Sequence, residues 1–565
     1  MSHSSLAAMH RATADRLGRR VALRTRRHGL YRDIRWESYR RRADGAAAAL
    51  IAQGIGPGDR VGILAENGAN WLTADIAVLS TGAADVPLHA PLAPRQVAYQ
   101  LGHSGARACF VADQRQADKV IAVLDVLPAL EWLIGFEPIA APDRVRVTSW
   151  EALVHDGLRL GTDGLHDVLL RERSVQREDL ATVIYTSGTT GDPRGVMLSH
   201  GNILSNAESV LAMGNAQPDD ILLSWLPYSH IYARTVDHYL PALVGSVVCL
   251  AESVDTLTAN LAETQPTWMT SVPRFYEKVW TAVAPLPPPE RAARLRAIFG
   301  PRIRWLSSGG APLPRHVAEG YHEAGLLLLQ GYGLTESSPV ISFNRIDRYK
   351  LETVGLPIPG VEVAIADDGE VLTRGPHVML GYWNDPEATR AATEGGWLHT
   401  GDVGHLDAEG FLTITDRKKD LIITSGGKNI APAMLEQLMV ADPYIEQAVA
   451  YGDGRPFVTA LIVPDLPRLR EAARRLGRPE PGDAEFVTDE ALVGFMADRV
   501  ARGMEAVSQP ERVRSFVLLG RPLRAEADEL TATLKVRRRF LLEKYKAPLD
   551  ALYHSPPGPH SGPES

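Results

Sequence analysis

A short apolar run, Ala181 to Tyr185, passes directly into Thr186-Ser-Gly-Thr-Thr-Gly-Asp-Pro-Arg-Gly195, and no other stretch so narrows what this chain can fold into. The run is rich in β-branched residues and reads as a buried strand. Beyond it, Gly188, Gly191 and Gly195 let the backbone turn its N–H groups inward with no Cβ in the way. Thr186, Ser187, Thr189 and Thr190 add hydroxyl donors, and Arg194 adds a fixed positive charge. A strand that feeds such a loop is a place to hold phosphate, at the carboxyl end of a central strand in a layered α/β sheet. It is not a Walker loop, because no Gly-Lys-Ser/Thr follows at the required spacing. The plainer reading of the same residues is a surface hairpin, where glycine and threonine are also at home.

At 565 residues the chain exceeds what one hydrophobic core supports, so two or more domains are expected. Apolar residues make up 45% and charged ones 23%, the balance of a globular enzyme. The net charge of −8 argues against a general nucleic-acid binder, whose domain would be basic. Cys109 and Cys249 each sit in an apolar setting and offer neither a disulfide framework nor a cysteine metal site. No stretch reads as a signal peptide or as a membrane span, so the expectation is a cytoplasmic protein, with peripheral membrane contact left open and oligomeric state unread.

Taken in order, the chain opens with a helical pattern followed by Arg-rich turns up to about residue 25. A helix from Trp36 to Leu50, a strand Val61–Leu64, a helix Trp71–Leu79 and an extended Asp85–Leu88 then form a parallel crossover. Strand patterns recur at Ala108–Val111, Val247–Leu250, Thr267–Val272, Ile303–Ser307 and Leu326–Gln330. After Gly355 the texture changes to short strands, which suggests a β-rich subdomain. The resulting expectation is a large layered α/β domain over 1–415 with a β-rich subdomain, a charged hinge at 416–420, a small mobile α+β domain over 421–546, and a disordered Pro/Gly/Ser-rich tail over 547–565.

Four further segments carry chemistry. Gly309, Gly310 and Ala311 follow a strand pattern, and a Gly-Gly there lets a flat aromatic ring lie against backbone. Gln330-Gly331-Tyr332-Gly333-Leu-Thr335-Glu336 presents an aromatic face for a base, and a hydroxyl and carboxylate for phosphate and a hard metal ion. Asp402 after Thr400-Gly suits two ribose hydroxyls, with Arg417 beside it. Leu530-Thr-Ala-Thr-Leu-Lys535-Val-Arg-Arg538 reads on its own as a solvated basic face.

Together, and in this order, these segments resemble the adenylate-forming (acyl-activating, AMP-binding) superfamily over about residues 30 to 545. The resemblance implies a ligase that uses ATP, Mg2+ and coenzyme A. Glu336 then holds Mg2+, Lys535 on the small domain enters the active site during adenylation, and Lys419 is the hinge position. Gly426 lies where the pantetheine channel passes, and Lys428 where a cation meets ATP. The family usually has Lys where this chain has Arg194, a planar fork in place of a mobile ammonium.

Leu226-Pro-Tyr-Ser-His230-Ile-Tyr-Ala-Arg234 and Pro266–Lys278 are most similar to segments of long-chain fatty acyl-CoA synthetases. By that similarity the substrate is a fatty acid, His230 borders the acyl pocket, and Trp225, Tyr228, Tyr232 and Trp268 line an acyl tunnel. Taken on its own, each of these rings reads equally as core. An adenylating enzyme with another acid or a carrier-protein acceptor, and a non-catalytic nucleotide-binding protein, are the alternatives.

Overall fold

The computed structural model describes residues 3–27, 29–186, 193–418, 420–425, 429–482, 484–505, 507–524, 527–530 and 536–554. Two large sheets with helices between and around them form the body of the protein. Among the described residues the first has eight strands, in the order Gly381–Tyr382, Arg194–Ser199, Leu180–Thr186, Ala84–Leu88, Arg60–Leu64, Ala108–Val111, Trp132–Gly135 and Arg146–Ser149. From Leu180–Thr186 onward its neighbours are parallel, and the first two strands pair antiparallel. Ala84–Leu88 and Ala108–Val111 are buried at every residue, as strands covered on both faces must be.

The second sheet runs Leu356–Pro357, Val340–Phe343, Leu328–Gly333, Trp305–Ser308, Trp268–Ser271, Ile221–Ser224, Val247–Leu250, Val21–Arg27 and Leu30–Arg35. Its last two strands correct an expectation: the Arg-rich stretch near the start is a hairpin, not a set of turns. Ala22 and Leu23 are buried, Leu23 pairs with Val248 of the neighbouring strand, and Arg24 answers Asp33 across the hairpin at 3.1 Å. The arginines coat the edge while Ala22 and Leu23, at a break in register after Val21, reach the core.

A four-stranded antiparallel sheet, Glu362–Ile365, Glu370–Arg374, Leu398–Leu406 and Leu412–Arg417, forms the β-rich part. Beyond it, Ile445–Tyr451, Val458–Pro464 and Val513–Leu518 make a separate small sheet with apolar clusters of its own, one around Ile422, Met439, Val458 and Met496, the other around Val449, Leu461, Leu541 and Leu549. Order does not stop at Lys546: Lys546–Ala551 is a helix, fully burying Leu549, and Asp550 accepts from Tyr451 Oη at 2.7 Å. An ion pair between Arg274 and Glu446 joins the large and small parts.

The amino-terminal helix Leu6–Leu17 is capped by Ser5, and its Leu6 N–H donates to His200 Nδ1 at 3.3 Å. No helix among the described residues is long and apolar enough to cross a membrane.

Candidate functional site

The organising segment is the tip of an antiparallel hairpin. Thr186 ends one strand, Arg194 begins the next, and the two are register partners. The strand Arg194–Ser199 was not anticipated; it takes Arg194 and Gly195 out of the expected loop. Ser187, Gly188, Thr189, Thr190 and Gly191 lie outside the described residues. Arg194 leaves 43% of its side chain exposed, lies over the ring of Tyr382 at 5.2 Å, and stands 3.8 Å from Asp385. Tyr382 is there because Gly381–Tyr382 adds to the edge of Arg194–Ser199, with Tyr382 opposite Val196.

Glu336 is delivered by the strand Leu328–Gly333 and a single turn of 3-10 helix, Thr335–Ser337. Gly333 makes the approach feasible, since a Cβ there would lie 1.7 Å from the carbonyl oxygen of Pro339. Met379 N–H donates to the Glu336 carbonyl at 2.9 Å, and Tyr382 Oη donates to Glu336 Oε1 at 2.9 Å. Among the described residues none donates to Oε2. A carboxylate with Oε1 held and Oε2 left to a ligand fits Mg2+ on a triphosphate, which takes a carboxylate or two and fills the rest with water and phosphate. No cluster of three or more His, Cys, Asp or Glu suited to an all-protein metal cage occurs among the described residues.

The same strand places Tyr332, whose Oη donates to Asp402 Oδ2 at 2.7 Å, while Arg417 Nε donates to Asp402 Oδ1 at 2.8 Å. Asp402 and Arg417 are cross-strand partners, so the fold brings together two residues that sequence reading had linked only by chemistry. Burial, with the charge of Asp402 added, raises the Tyr332 phenol well above its usual range, so it remains a donor. Gln330 does not offer its side chain to a ligand. Its Oε1 accepts from Leu313 N–H at 3.2 Å and its Nε2 donates to the Leu351 carbonyl at 2.9 Å, which ties the Gly309–Ala311 turn to the strand carrying Tyr332. Gly331 lies against Phe343.

A ring does lie on Gly309, and it is the protein's own: a Cβ there would meet Tyr232 Cζ at 2.7 Å. Tyr232 shares a hydrogen bond with Ser307 Oγ at 2.9 Å. A narrow cleft beside it is lined by Leu226, Pro227, His230, Tyr232, Ala233, Val272 and Gly310. His230 thus borders a cleft, and its Nδ1 accepts from Tyr232 N–H at 3.3 Å. Trp225 and Tyr232 are half-buried. Trp268 and Tyr228 are core residues rather than tunnel wall: Trp268 stacks on Trp305 with centroids 4.9 Å apart, and Tyr228 donates to Ser224 Oγ at 2.9 Å.

Behind the hairpin is a cluster that sequence reading missed. Arg234, at the end of the Leu226–Arg234 segment, is wholly buried and pairs with both Asp75 and Asp85. Its Nη1 donates to Thr182 Oγ1 at 2.9 Å, Thr182 donates to Asp85 Oδ1 at 2.7 Å, and His238 meets Asp75 Oδ2 at 2.9 Å. Against the cost of burial, Arg234 and His238 hold Asp75 well below the usual carboxylate range. Burial, only partly offset by Arg234, and the charge of Asp75 push Asp85 up. The signal for this cluster was an Arg amid apolar neighbours, with two aspartates in apolar segments; their pairing depends on the fold.

Lys419, Gly426, Lys428 and Lys535 lie outside the described residues.

With this geometry in place, the likeness to known proteins is direct. Residues 10–383 match the AMP-binding enzyme family and residues 419–556 the AMP-binding enzyme C-terminal domain. The chain belongs to the AMP-binding enzyme family. It is 33% identical to the long-chain-fatty-acid–CoA ligase FadD15 of Mycobacterium bovis over 93% of each protein. Among solved structures it is similar to the anthranilate CoA ligase AuaEII in complex with anthranoyl-AMP, with a TM-score of 0.77 at 22% identity over 97% of this chain and 98% of that one. It is also similar to the O-succinylbenzoate coenzyme A synthetase of Bacillus subtilis in complex with ATP and magnesium, with a TM-score of 0.70 at 24% identity over 94% and 98%.

Proposed function

We propose that this chain joins a long-chain fatty acid to coenzyme A in two steps. The fatty carboxylate attacks the α-phosphorus of ATP and pyrophosphate leaves; the thiol of CoA then attacks the acyl carbon and AMP leaves. The observation that carries the reading is the meeting of Arg194 and Glu336 at Tyr382, with the Tyr332–Asp402–Arg417 triad on the strand that leads to Glu336, so that residues of three sheets are brought together. The named activity of the mycobacterial relative supports the fatty acid and CoA as substrates.

No protein nucleophile is needed, because the work is to align two anions and screen their repulsion. Arg194, Thr186 and the loop hydroxyls and amides of Ser187, Gly188, Thr189, Thr190 and Gly191 would hold the phosphates. Bound at Glu336, Mg2+ would offset the charge of the triphosphate. Asp402, braced by Arg417 and Tyr332, would accept from the ribose, and the Gly309–Ala311 turn would receive the base. His230 and the cleft beside it would take the acyl carboxyl end. The likeness to the family supports Lys535 and Lys428 as cations of the adenylation step, Gly426 on the thiol path and Lys419 as the pivot. An alkyl chain of this kind partitions into bilayers, which favours peripheral membrane contact.

The test is pyrophosphate exchange with a panel of acids of increasing chain length, followed by thioester formation with CoA. Exchange and thioester are both expected to be strongest with long alkyl acids. Exchange without thioester would overturn the ligase reading, and exchange confined to aryl or short acids would overturn the substrate class.

A further inference from the structure

Tyr382 lies in none of the segments that sequence reading singled out, yet it touches two of the groups that the proposed chemistry uses. Its Oη donates to Glu336 Oε1 at 2.9 Å, and the face of its ring carries the Arg194 guanidinium at 5.2 Å. Its place is tightly fixed. The backbone of Gly381–Tyr382 is an edge strand on Arg194–Ser199, Trp383 N–H donates to the Gly195 carbonyl at 2.7 Å, and Tyr382 N–H donates to Thr389 Oγ1 at 2.9 Å. The side chain is 9% exposed. A hydroxyl facing a carboxylate oxygen gives the bond one direction: tyrosine gives and glutamate receives.

We propose that Tyr382 is a positioning residue for the adenylation half-reaction: its hydroxyl fixes Glu336 Oε1 so that Oε2 faces the metal on the nucleotide, and its ring is the shelf on which Arg194 lies. The inference rests on the ATP-dependent reading above. A carboxylate with one oxygen tied down presents the other in a single orientation, and such outer-shell partners tune metal affinity strongly. The shelf also accounts for Arg194 where the family usually has Lys. A planar guanidinium stacks on a tyrosine face over its whole area, whereas an ammonium does not. Asp385, at 3.8 Å from Arg194 Nε, holds the edge of the same guanidinium.

The experiment uses the full chain with Tyr382→Phe, which keeps the ring, and Tyr382→Leu, which removes it. Calorimetry measures ATP binding with Mg2+ and with EDTA, and electron paramagnetic resonance measures Mn2+ in the ATP complex. Tyr382→Phe is expected to weaken Mn2+ in the complex by about ten-fold, within the range of outer-shell substitutions, while ATP binding in EDTA and the KM for the fatty acid stay at wild-type values. Excess Mg2+ should restore its exchange rate. Tyr382→Leu should show the same loss and, in addition, bind metal-free ATP about three-fold or more weakly, because Arg194 has lost its stacking partner. Wild-type Mn2+ affinity in Tyr382→Phe overturns the proposal, as does an equal loss of ATP binding with and without metal, which would mark Tyr382 as packing alone. If the wild-type protein itself binds ATP no better with Mg2+ than with EDTA, the failure lies in the ATP-dependent reading and both fall together.

Discussion

Arg194 and Arg234 flank the same hairpin under opposite conditions. Arg194 keeps 43% of its side chain in solvent and meets its nearest carboxylate at 3.8 Å, whereas Arg234 is wholly buried against two carboxylates, a threonine and a tyrosine. A guanidinium whose partners all come from the protein is committed to holding the fold together. One whose partner is loose has donors left over for an anion that arrives from outside. The two arginines are served by one strand: Thr182 bonds the buried cluster, and Thr186, at the end of the same strand, is the register partner of Arg194.

The largest expected effect is on the buried side. Arg234→Ala strands two aspartates in the interior and should lower unfolding stability by roughly 3–5 kcal/mol in urea titrations. A second substitution, Asp85→Asn, should recover part of that loss. A loss under about 1 kcal/mol would put Arg234 in the same class as an exposed pair and remove the contrast.

Asp237, in the same helical turn, sharpens the comparison because it is buried with no salt bridge among the described residues; Ser224 Oγ donates to its Oδ2 at 3.0 Å. Burial pushes its carboxyl up to about 7, with the hydrogen bond from Ser224 opposing. An unfolded aspartate releases its proton near pH 4, so between about pH 4 and 7 the folded chain binds one proton more than the unfolded chain. This contribution is complete below about pH 4 and is lost as pH rises, at about 1.4 kcal/mol per unit. Asp237→Asn, permanently neutral, should therefore match wild type near pH 4 and exceed it by roughly 2–4 kcal/mol near pH 7.5 in unfolding experiments. A gap that does not change with pH would mean the carboxylate is ionised inside the fold.

The smallest free-energy effect belongs to the exposed arginine. Arg194→Ala should lower kcat/KM for ATP in pyrophosphate exchange by about 10- to 100-fold, the range for a hydrogen bond to a charged group, with unfolding stability within about 0.5 kcal/mol of wild type. Arg194→Lys should fall between. Destabilisation of the Ala variant without a change in exchange would reverse the roles assigned to the two arginines.

The strands of the large body that were legible are those that a parallel sheet buried on both faces writes as short continuous apolar runs; Ala108–Val111 and Val247–Leu250 match the structure residue for residue, although Trp132–Gly135 and Ile221–Ser224, runs of the same kind, were passed over. Strands that open or close on charged or loop-forming residues were not legible: Val21–Arg27 is apolar only before its arginines begin, and Arg194–Ser199 begins inside a segment whose glycines and hydroxyls signalled loop. At the site, Asp402 and Arg417 were legible as chemistry before their pairing across two strands was known. Gln330 was read as a ligand contact, but its amide is spent on holding backbone together, which only tertiary structure reveals. Tyr382 and Arg234 escaped notice for the same reason. Their roles are set by residues far away in the chain, and the one local mark is that Arg234 is a charge amid apolar neighbours.

The hydrogen bond from Leu6 to His200 joins the front of the chain to the helix that follows the Leu180–Ser199 hairpin. Burial lowers the His200 imidazole to about 4, so it accepts that bond whether the solution is mildly acidic or alkaline. A bulky purification handle, or a clip that removes the first few residues, would thus make itself felt at the helix that follows the Leu180–Ser199 hairpin. An assay of such a preparation would report poor turnover where the injury is to the scaffold.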